Sequence, residues 1–362
     1  MPLSNVNPEN YHQLLQQKAA RIEQQFAQFQ PPALELHPSP PLHFRQRAEF
    51  KIWHQGDDTF YTMFRPEEPK TPVRIDQFPI GSQLMNETMQ ALRAYILDRA
   101  PLRHKLFQVE FLTTLSGEVL VTQIYHRPLD DEWQRQAEQL QSALGIKVIG
   151  RSKKQRRVLS DDFVTETLSV AGKPFRYQQI ENSFTQPNAQ VNQLMLAWAL
   201  KHSADIGGDL LELYCGNGNF TAVLAQNFRR VLATEISKTS VKSATLNFAM
   251  NGVDNVDVVR MSSEEFSAAM DGERAFRRLK TIDLNDFQFS SVLVDPPRAG
   301  LDDHTVAVVS RFEHIFYISC NPNTLHDNLK QLCQSHSIEQ MALFDQFPYT
   351  DHIECGVHLK RK

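Results

Sequence analysis

Cysteine is scarce in this chain and absent from its first half. The four cysteines are Cys215, Cys320, Cys333 and Cys355. None forms a C-x-x-C pair, so neither a zinc ribbon nor an iron–sulfur cluster has a ligand spacing to use. Four cysteines in a large chain without a secretion signal do not suggest a disulfide framework either. Long apolar runs are missing: no stretch approaches the ~18 residues of a membrane span. The opening residues, MPLSNVNPENYHQ, lack the basic-then-apolar order of a signal region, so a cytoplasmic protein is expected. An excess of one charge sign is missing too. Against 42 acidic residues stand 38 basic ones, a net charge of −4. Bulk charge therefore does not announce a nucleic-acid binder, and such a surface would have to be a local patch.

What is present is a chain of 362 residues, 41% of them hydrophobic, too long for one small core and suited to two domains. Residues 9–30 are expected to form an amphipathic helix with Leu14, Ala19, Ile22 and Phe26 as its apolar stripe. The proline-rich run 31–44 ends it. From Arg47 to Trp53 the sequence alternates, with Arg47, Glu49 and Lys51 on one face and Ala48, Phe50 and Ile52 on the other, as in a half-buried strand. Phe107–Thr113 and Val119–Tyr125 read as a strand pair around Ser116-Gly117, and 131–144 as a helix. The first half is thus expected to be an α+β domain with antiparallel strands. Five basic residues crowd into 151–157, either a solvated loop or a phosphate-contacting patch.

From about residue 188 the rhythm becomes strand, loop, helix, repeated. That alternation predicts an α/β domain on a parallel sheet, with ligands at the C-terminal strand ends. The first such end is Tyr214-Cys-Gly216-Asn-Gly218-Asn219, where Gly216 and Gly218 let the backbone turn tightly and approach a ligand. The next strand ends in Glu235, a carboxylate able to accept hydrogen bonds from both hydroxyls of a ribose. The two together suit an adenosine cofactor, either NAD or S-adenosylmethionine. Thr221, where a dinucleotide fingerprint would carry its third glycine, weakens the NAD alternative. A later strand ends in Asp295-Pro-Pro-Arg298, a rigid acidic turn typical of methyltransferases. The strand after it ends in Ser319-Cys320-Asn321-Pro322. There Asn321 or Asn323 can cap a helix whose dipole is expected to lower the thiol pKa of Cys320, as a nucleophile needs. Cys333, on an amphipathic helix, reads as a packing residue.

These turns, with His352-Ile-Glu354-Cys-Gly356, resemble those of the RNA uracil-C5 methyltransferases, and the likeness extends over nearly the whole chain. Arg47-Ala-Glu-Phe, His104-Lys-Leu-Phe-Gln, Asp130-Asp-Glu-Trp, Glu181-Asn-Ser-Phe-Thr-Gln-Pro-Asn188 and Phe344-Asp-Gln-Phe-Pro-Tyr349 share in it. The absence of cysteines before Cys215, and of room for an added β-barrel, favours the tRNA branch over the ribosomal-RNA branch. The resemblance implies a Rossmann-like S-adenosylmethionine-dependent domain over 176–362, preceded over 1–175 by the N-terminal helix and an α+β RNA-binding domain. It implies methylation at C5 of uridine in the T-loop of tRNA, position 54, with S-adenosyl-L-methionine as cofactor and neither metal nor iron–sulfur cluster.

Cys320 would attack C6 of the base, and Glu354 would be the general base that removes the C5 proton. Gln186, Tyr214, Asn219, Glu235 and Asp295 would join Gly216 and Gly218 in holding the cofactor. The base must be drawn out of a folded loop, which calls for phosphate contacts and stacking. Arg47, Lys51, Phe107 and His126 are the candidates, and Phe107 reads equally well as a core residue. The expected partner is the tRNA T-arm, or an RNA with a T-arm-like loop, bound by a monomer away from membranes. A ribosomal-RNA methyltransferase, and an RNA-binding or tRNA-folding protein whose methylation is secondary, stand as alternatives.

Overall fold

The computed structural model describes residues 5–65, 68–273 and 276–362. The chain begins with helix α1 (Tyr11–Phe26), which runs into a short 3-10 turn ending at Phe29, ahead of the prolines. Its buried stripe is Tyr11, Leu15, Lys18, Ala19, Ile22 and Phe26. The helical period holds, but Leu14 is only half-buried and a lysine takes a place in the stripe. Strand β1 (Glu35–His37) follows inside the proline-rich run. Three residues between prolines carry no periodic signal; the strand exists because it pairs in parallel with a strand near the C-terminus.

Seven strands then form one sheet: β2 (Arg47–Gln55), β3 (Asp58–Arg65), β4 (Glu68–Ile75), β5 (Leu106–Thr113), β6 (Val119–Tyr125), β7 (Lys147–Ser152) and β8 (Gln155–Val158). Their order is β4-β3-β2-β5-β6-β7-β8, antiparallel except between β6 and β7. That single parallel pair needs a crossover, and α4 (Asp131–Leu144) supplies it. Asp130 caps α4 by accepting the Trp133 N–H, and Trp133, Ala137 and Leu140 form its buried face. Helices α2 (Gln83–Ile96) and α3 (Ala100–Arg103) precede β5, and Met85, Met89, Leu92 and Ile96 make the buried face of α2.

The basic run 151–157 is neither a loop nor a bare patch. It is the β7–β8 hairpin, and its arginines are occupied within the fold. Arg151 and Arg156 both pair with the buried Glu181, and Arg157 donates to Gln134 at 2.7 Å. Strands β9 (Phe163–Val170) and β10 (Lys173–Ile180) form a separate two-stranded ribbon.

The remainder alternates as expected: α5 (Ala189–His202), β11 (Asp209–Leu213), α6 (Thr221–Leu224), β12 (Arg230–Thr234), α7 (Lys238–Met250), β13 (Val256–Val259), α8 (Ser263–Met270), β14 (Phe289–Val294), α9 (Asp303–Val309), β15 (His314–Ser319) and α10 (Pro322–Leu332). The last two strands, β16 (His336–Phe344) and β17 (Glu354–Arg361), close the sheet. Its order is β1-β16-β17-β15-β14-β11-β12-β13. β17 is antiparallel to both of its neighbours, and the other pairings are parallel. β11 lies between β12 and β14, so the chain reverses its direction of travel there, and the crevice beyond that strand end is where such sheets bind ligands. The core strands are apolar throughout: Leu210, Leu211, Val231, Leu232, Val292, Leu293 and Ile315–Ile318 are buried.

The chain divides into two compact units, but not by one cut near residue 175. The first is built on Pro40–Thr167 and Gln178–Ala189; the second contains Glu9–Ser39, Leu168–Tyr177 and Gln190–Lys362. The N-terminal helix therefore belongs with the Rossmann-like unit. Lys18 is the reason on the side-chain level. Its ammonium is buried and donates to Asp345 Oδ1 at 2.7 Å, the Phe347 carbonyl at 2.9 Å and the His352 carbonyl at 3.1 Å. Among the described residues, no helix is long and apolar enough to cross a membrane.

Candidate active site

The strand ends of the second unit gather the residues singled out in the sequence. Beyond β11, Tyr214, Gly216 and Gly218 all have positive φ, of 64°, 57° and 79°. A left-handed tyrosine costs roughly 1–2 kcal/mol, so the turn is held from outside. Cys215 N–H donates to the Thr234 carbonyl, Gly218 N–H to the Cys215 carbonyl, and the Tyr177 hydroxyl to the Asn219 carbonyl at 2.9 Å. A side chain at Gly218 would place its Cβ 2.5 Å from the ring of Phe248. That position thus needs glycine for space as well as for φ.

Glu235 spans the turn from the end of β12. One carboxylate oxygen accepts from Gly216 N–H at 3.1 Å and the other from Ser237 N–H at 2.7 Å. Tyr214 donates its hydroxyl to Ser263 Oγ at 2.7 Å, and burial raises its pKa. The cavity here measures about 420 Å³ and is lined by Tyr214, Glu235, Ile236, Ser262 and Ser263 on one side and Pro297–Leu301 on the other, Arg298 excepted. That volume lies within the ~300–1,000 Å³ range of small-molecule sites. Ile236 leaves 65% of its surface exposed at this edge.

Asn219 is tied to α5. Its amide exchanges two hydrogen bonds with Asn192, at 2.8 and 3.0 Å, so the side chain fastens the turn to α5. Gln186 belongs to the first unit and was singled out only by resemblance.

The surroundings of Cys320 are set by strand register. Ser319 pairs with Cys355 as the last rung of the antiparallel β15–β17 ladder, so the next residues out are Cys320 and Glu354. In the parallel direction Leu213 pairs with Val294, and Val294 lies beside Tyr317. Asp295 therefore emerges between the ends of β11 and β15. Asn321 caps α10 by accepting the Asn323 N–H at 3.1 Å, and Pro322 occupies the first helical turn.

The thiol pKa goes opposite to the dipole expectation. Burial first, then the carboxylates of Glu354 and Asp295, push Cys320 up to about 11, while Arg298 pulls it down. A helix N-terminus is worth roughly 0.3–1 kcal/mol and is outweighed by desolvation and two like charges. Glu354 is 3% exposed, and burial raises its pKa well above the carboxylate range, with the charge of Asp295 adding to the rise. Asp295 is raised by the same burial.

Sequence reasoning missed a third acid. Glu212, on β11, is buried, its Oε2 has no hydrogen-bond partner, and burial pushes its pKa to about 8. Its place inside an apolar strand was the available signal. Arg298 and His352 were also missed as a pair: Arg298 Nη2 lies 2.8 Å from His352 Nδ1. A guanidinium only donates, so Nδ1 accepts and a neutral His352 carries its proton on Nε2.

A second cavity, of about 340 Å³, opens over Cys320 and is lined by Arg298, Asn321–Asn323, Asp351–Ile353 and, from α1, Arg21 and Gln25. The Asp295–Gly300 turn is the wall between the two cavities. Pro297, Ala299 and Gly300 face the first and Arg298 the second.

The RNA-facing candidates lie in the first unit. A register shift at Leu106/Gln108 bulges Phe107 out of the ladder. Its ring stacks on His126 with centroids 3.9 Å apart, and Lys51 Nζ lies 4.0 Å from its centroid. Phe107 is half-buried and His126 exposed. Lys51 also donates to Gln108 Oε1. Arg47, on the same strand face, donates to the Ser183 carbonyl. The structure thus brings three of the four together and leaves Arg47 further along the strand.

Residues 10–362 match the family model described as tRNA (Uracil-5-)-methyltransferase. The tRNA/tmRNA (uracil-C(5))-methyltransferase of Colwellia psychrerythraea is 56% identical over 99% of this chain and 100% of its own length. That of Saccharophagus degradans is 55% identical over 99% of each. The solved tRNA (uracil-54, C5)-methyltransferase of Pyrococcus abyssi, in complex with S-adenosyl-L-homocysteine, superimposes with a TM-score of 0.73 at 22% identity, over 97% of this chain and 83% of that one, and shares the fold. With register, cavities and relatives in agreement, the chain belongs to the tRNA (uracil-5-)-methyltransferase family.

Proposed function

We propose that this protein methylates C5 of a uridine in tRNA, at position 54 of the T-loop, using S-adenosyl-L-methionine. The observation that carries the reading is the meeting of Cys320, Glu354 and Asp295 at three adjacent strand ends, beside a cavity built for an adenosine. The relatives' names pair tRNA with tmRNA, so the substrate is best described as a T-arm or T-arm-like hairpin.

Glu235 would hold the ribose hydroxyls with lone pairs its two backbone donors leave over, Ile236 the adenine face, and Tyr214 and the Gly216–Gly218 backbone the rest of the cofactor. When bound, S-adenosylmethionine supplies an electrophilic methyl group. Uracil C5 is too weak a nucleophile to take it unaided. The Cys320 thiol gives its proton to water, and the thiolate adds to C6 and moves charge onto O4 and C5. After C5 is methylated, Glu354 takes the remaining C5 proton, the Cys320–C6 bond breaks, and the thiolate returns. Burial makes Glu354 a stronger base than a solvated carboxylate, which suits this task. Asp295 would hold its neighbours in place from the rigid turn that walls off the two cavities. In the first unit, the Phe107–His126 stack with Lys51 above it would offer a base a stacking surface and a phosphate a cation.

The test is a T-arm hairpin carrying 5-fluorouridine at the target position. Fluorine does not leave as a cation, so a methylated adduct stays on the enzyme. A denaturation-stable protein–RNA band is expected with S-adenosylmethionine, and none with Cys320→Ala. Glu354→Gln should trap ordinary uridine in the same way. A well-folded protein giving no band would refute the assignment.

A further inference from the structure

The sequence leaves open which domain α1 packs on; in the structure it lines the cavity over Cys320. Arg21 and Gln25 border the same 340 Å³ space as Cys320 and Arg298. Gln25 Nε2 donates to Asn323 Oδ1 at 3.0 Å and to the Pro322 carbonyl at 3.3 Å, fixing α1 to the first turn of α10. Arg21 Nη2 donates to the Asp351 carbonyl at 2.8 Å, and its Nη1 lies 3.9 Å from the Asp351 carboxylate. This uses a small part of the five N–H donors of an exposed guanidinium.

The lining of the cavity is basic although the chain as a whole is acidic. Among the lining residues, two guanidiniums and the N-terminus of an 11-residue helix stand against one carboxylate, Asp351, whose side chain is fully exposed to solvent. The acids that act on Cys320, Glu354 and Asp295, lie behind the lining, and burial raises their pKa. The chemistry of the attacked base says what lies there. C6 of uracil is bonded to N1, and N1 carries the ribose. A thiolate reaching C6 therefore works next to the sugar-phosphate of the target nucleotide.

We infer that Arg21 of α1, together with Arg298, grips a backbone phosphate flanking the extruded uridine, making the N-terminal helix a part of the substrate site. Arg21 is a binding residue in this role and takes no part in bond making. The inference rests on the methyltransferase reading above.

The experiment compares wild type and Arg21→Gln on T-arm hairpins in which the phosphate 5′ or 3′ of the target uridine is replaced, one at a time, by a neutral methylphosphonate. Arg21→Gln should raise KM about tenfold, leave kcat within about twofold, and reduce the slope of log KM against log salt by about one. One of the two neutral linkages should cost the wild type at least as large a factor and cost Arg21→Gln clearly less, because only the Arg298 contact is left to lose. Asp351→Asn, which removes the competing carboxylate, should lower KM. Unchanged KM and salt slope in Arg21→Gln, or losses from variant and linkage that multiply at both positions, would overturn the inference. A purely structural role for Arg21 would lower kcat and survive both linkages, and would overturn it as well. If wild type fails to methylate any of these hairpins, the functional reading falls and takes this inference with it. A wild type that methylates but is indifferent to Arg21 removes only the latter.

Discussion

Cys320 and Glu354 stand opposite each other one step beyond the last rung of the β15–β17 ladder, Ser319 with Cys355. The antiparallel insertion of β17 between β15 and β16 creates this relationship. A wholly parallel sheet would bring the end of β17, not its start, to the nucleophile. Burial above all raises the thiol pKa of Cys320, and the charges of Glu354 and Asp295 add to the rise.

Thiol reactivity should follow from this. Cys320, pushed up to about 11, is expected to react slowly with iodoacetamide at neutral pH, at a rate still rising beyond pH 9. Glu354→Gln removes a like charge and should move that profile to lower pH. Peptide mapping of the alkylated site, read against Cys320→Ala, measures it. A profile levelling near the ordinary thiol value of ~8.5 would contradict the electrostatic account.

Stacking and charge in the first unit should separate experimentally. Phe107→Ala is expected to fold, because the ring is half-buried against His126 and not packed in the core. It should lose about 1–3 kcal/mol of RNA affinity with little change in salt dependence. Lys51→Ala should lose less affinity and lower the salt slope. Titrations of a T-arm hairpin at two salt concentrations distinguish the two, and an unfolded Phe107→Ala would return that residue to the core.

The tie between Lys18 and Asp345 is buried on both sides. Lys18→Met should destabilise the protein by roughly 3–5 kcal/mol, since it leaves Asp345 uncompensated. Adding Asp345→Asn should recover part of that loss. Urea unfolding of the two variants against wild type measures the difference.

Stability should decline with rising pH on account of the buried acids. Glu212, at about 8, holds its proton more tightly folded than unfolded, and burial raises Asp295 and Glu354 in the same direction. A raised carboxyl contributes stability that is complete below the unfolded pKa and lost as pH passes through the folded one. The urea midpoint is therefore expected to be lower at pH 8.5 than at pH 5.5. Glu212→Gln should narrow the gap, because an amide cannot ionise.

The turn after β11 was legible because it is local. Glycines at 216 and 218 announce a tight turn through backbone freedom, and neighbours in sequence remain neighbours in space. Cys320 was legible for the same reason, lying between a strand and a capped helix. The pKa of Cys320 was not, because it depends on Glu354 and Asp295, which arrive from other strands. The three-residue strand β1 was hidden because its only reason to exist is a partner far along the chain. Nor could sequence assign Arg151 and Arg156, since their shared partner, Glu181, lies beyond the next ribbon.

By itself, then, the sequence determined the alternation of elements and the tight turns at their ends, consequences of short-range backbone preference and side-chain type. Tertiary structure alone decided that α1 joins the Rossmann-like unit, that the Asp295–Gly300 turn separates two cavities, and that two acids, Glu354 and Asp295, act on one thiol. Those facts depend on strand order and register, which place groups distant in the chain within electrostatic reach of one another, where burial removes the water that would otherwise screen them.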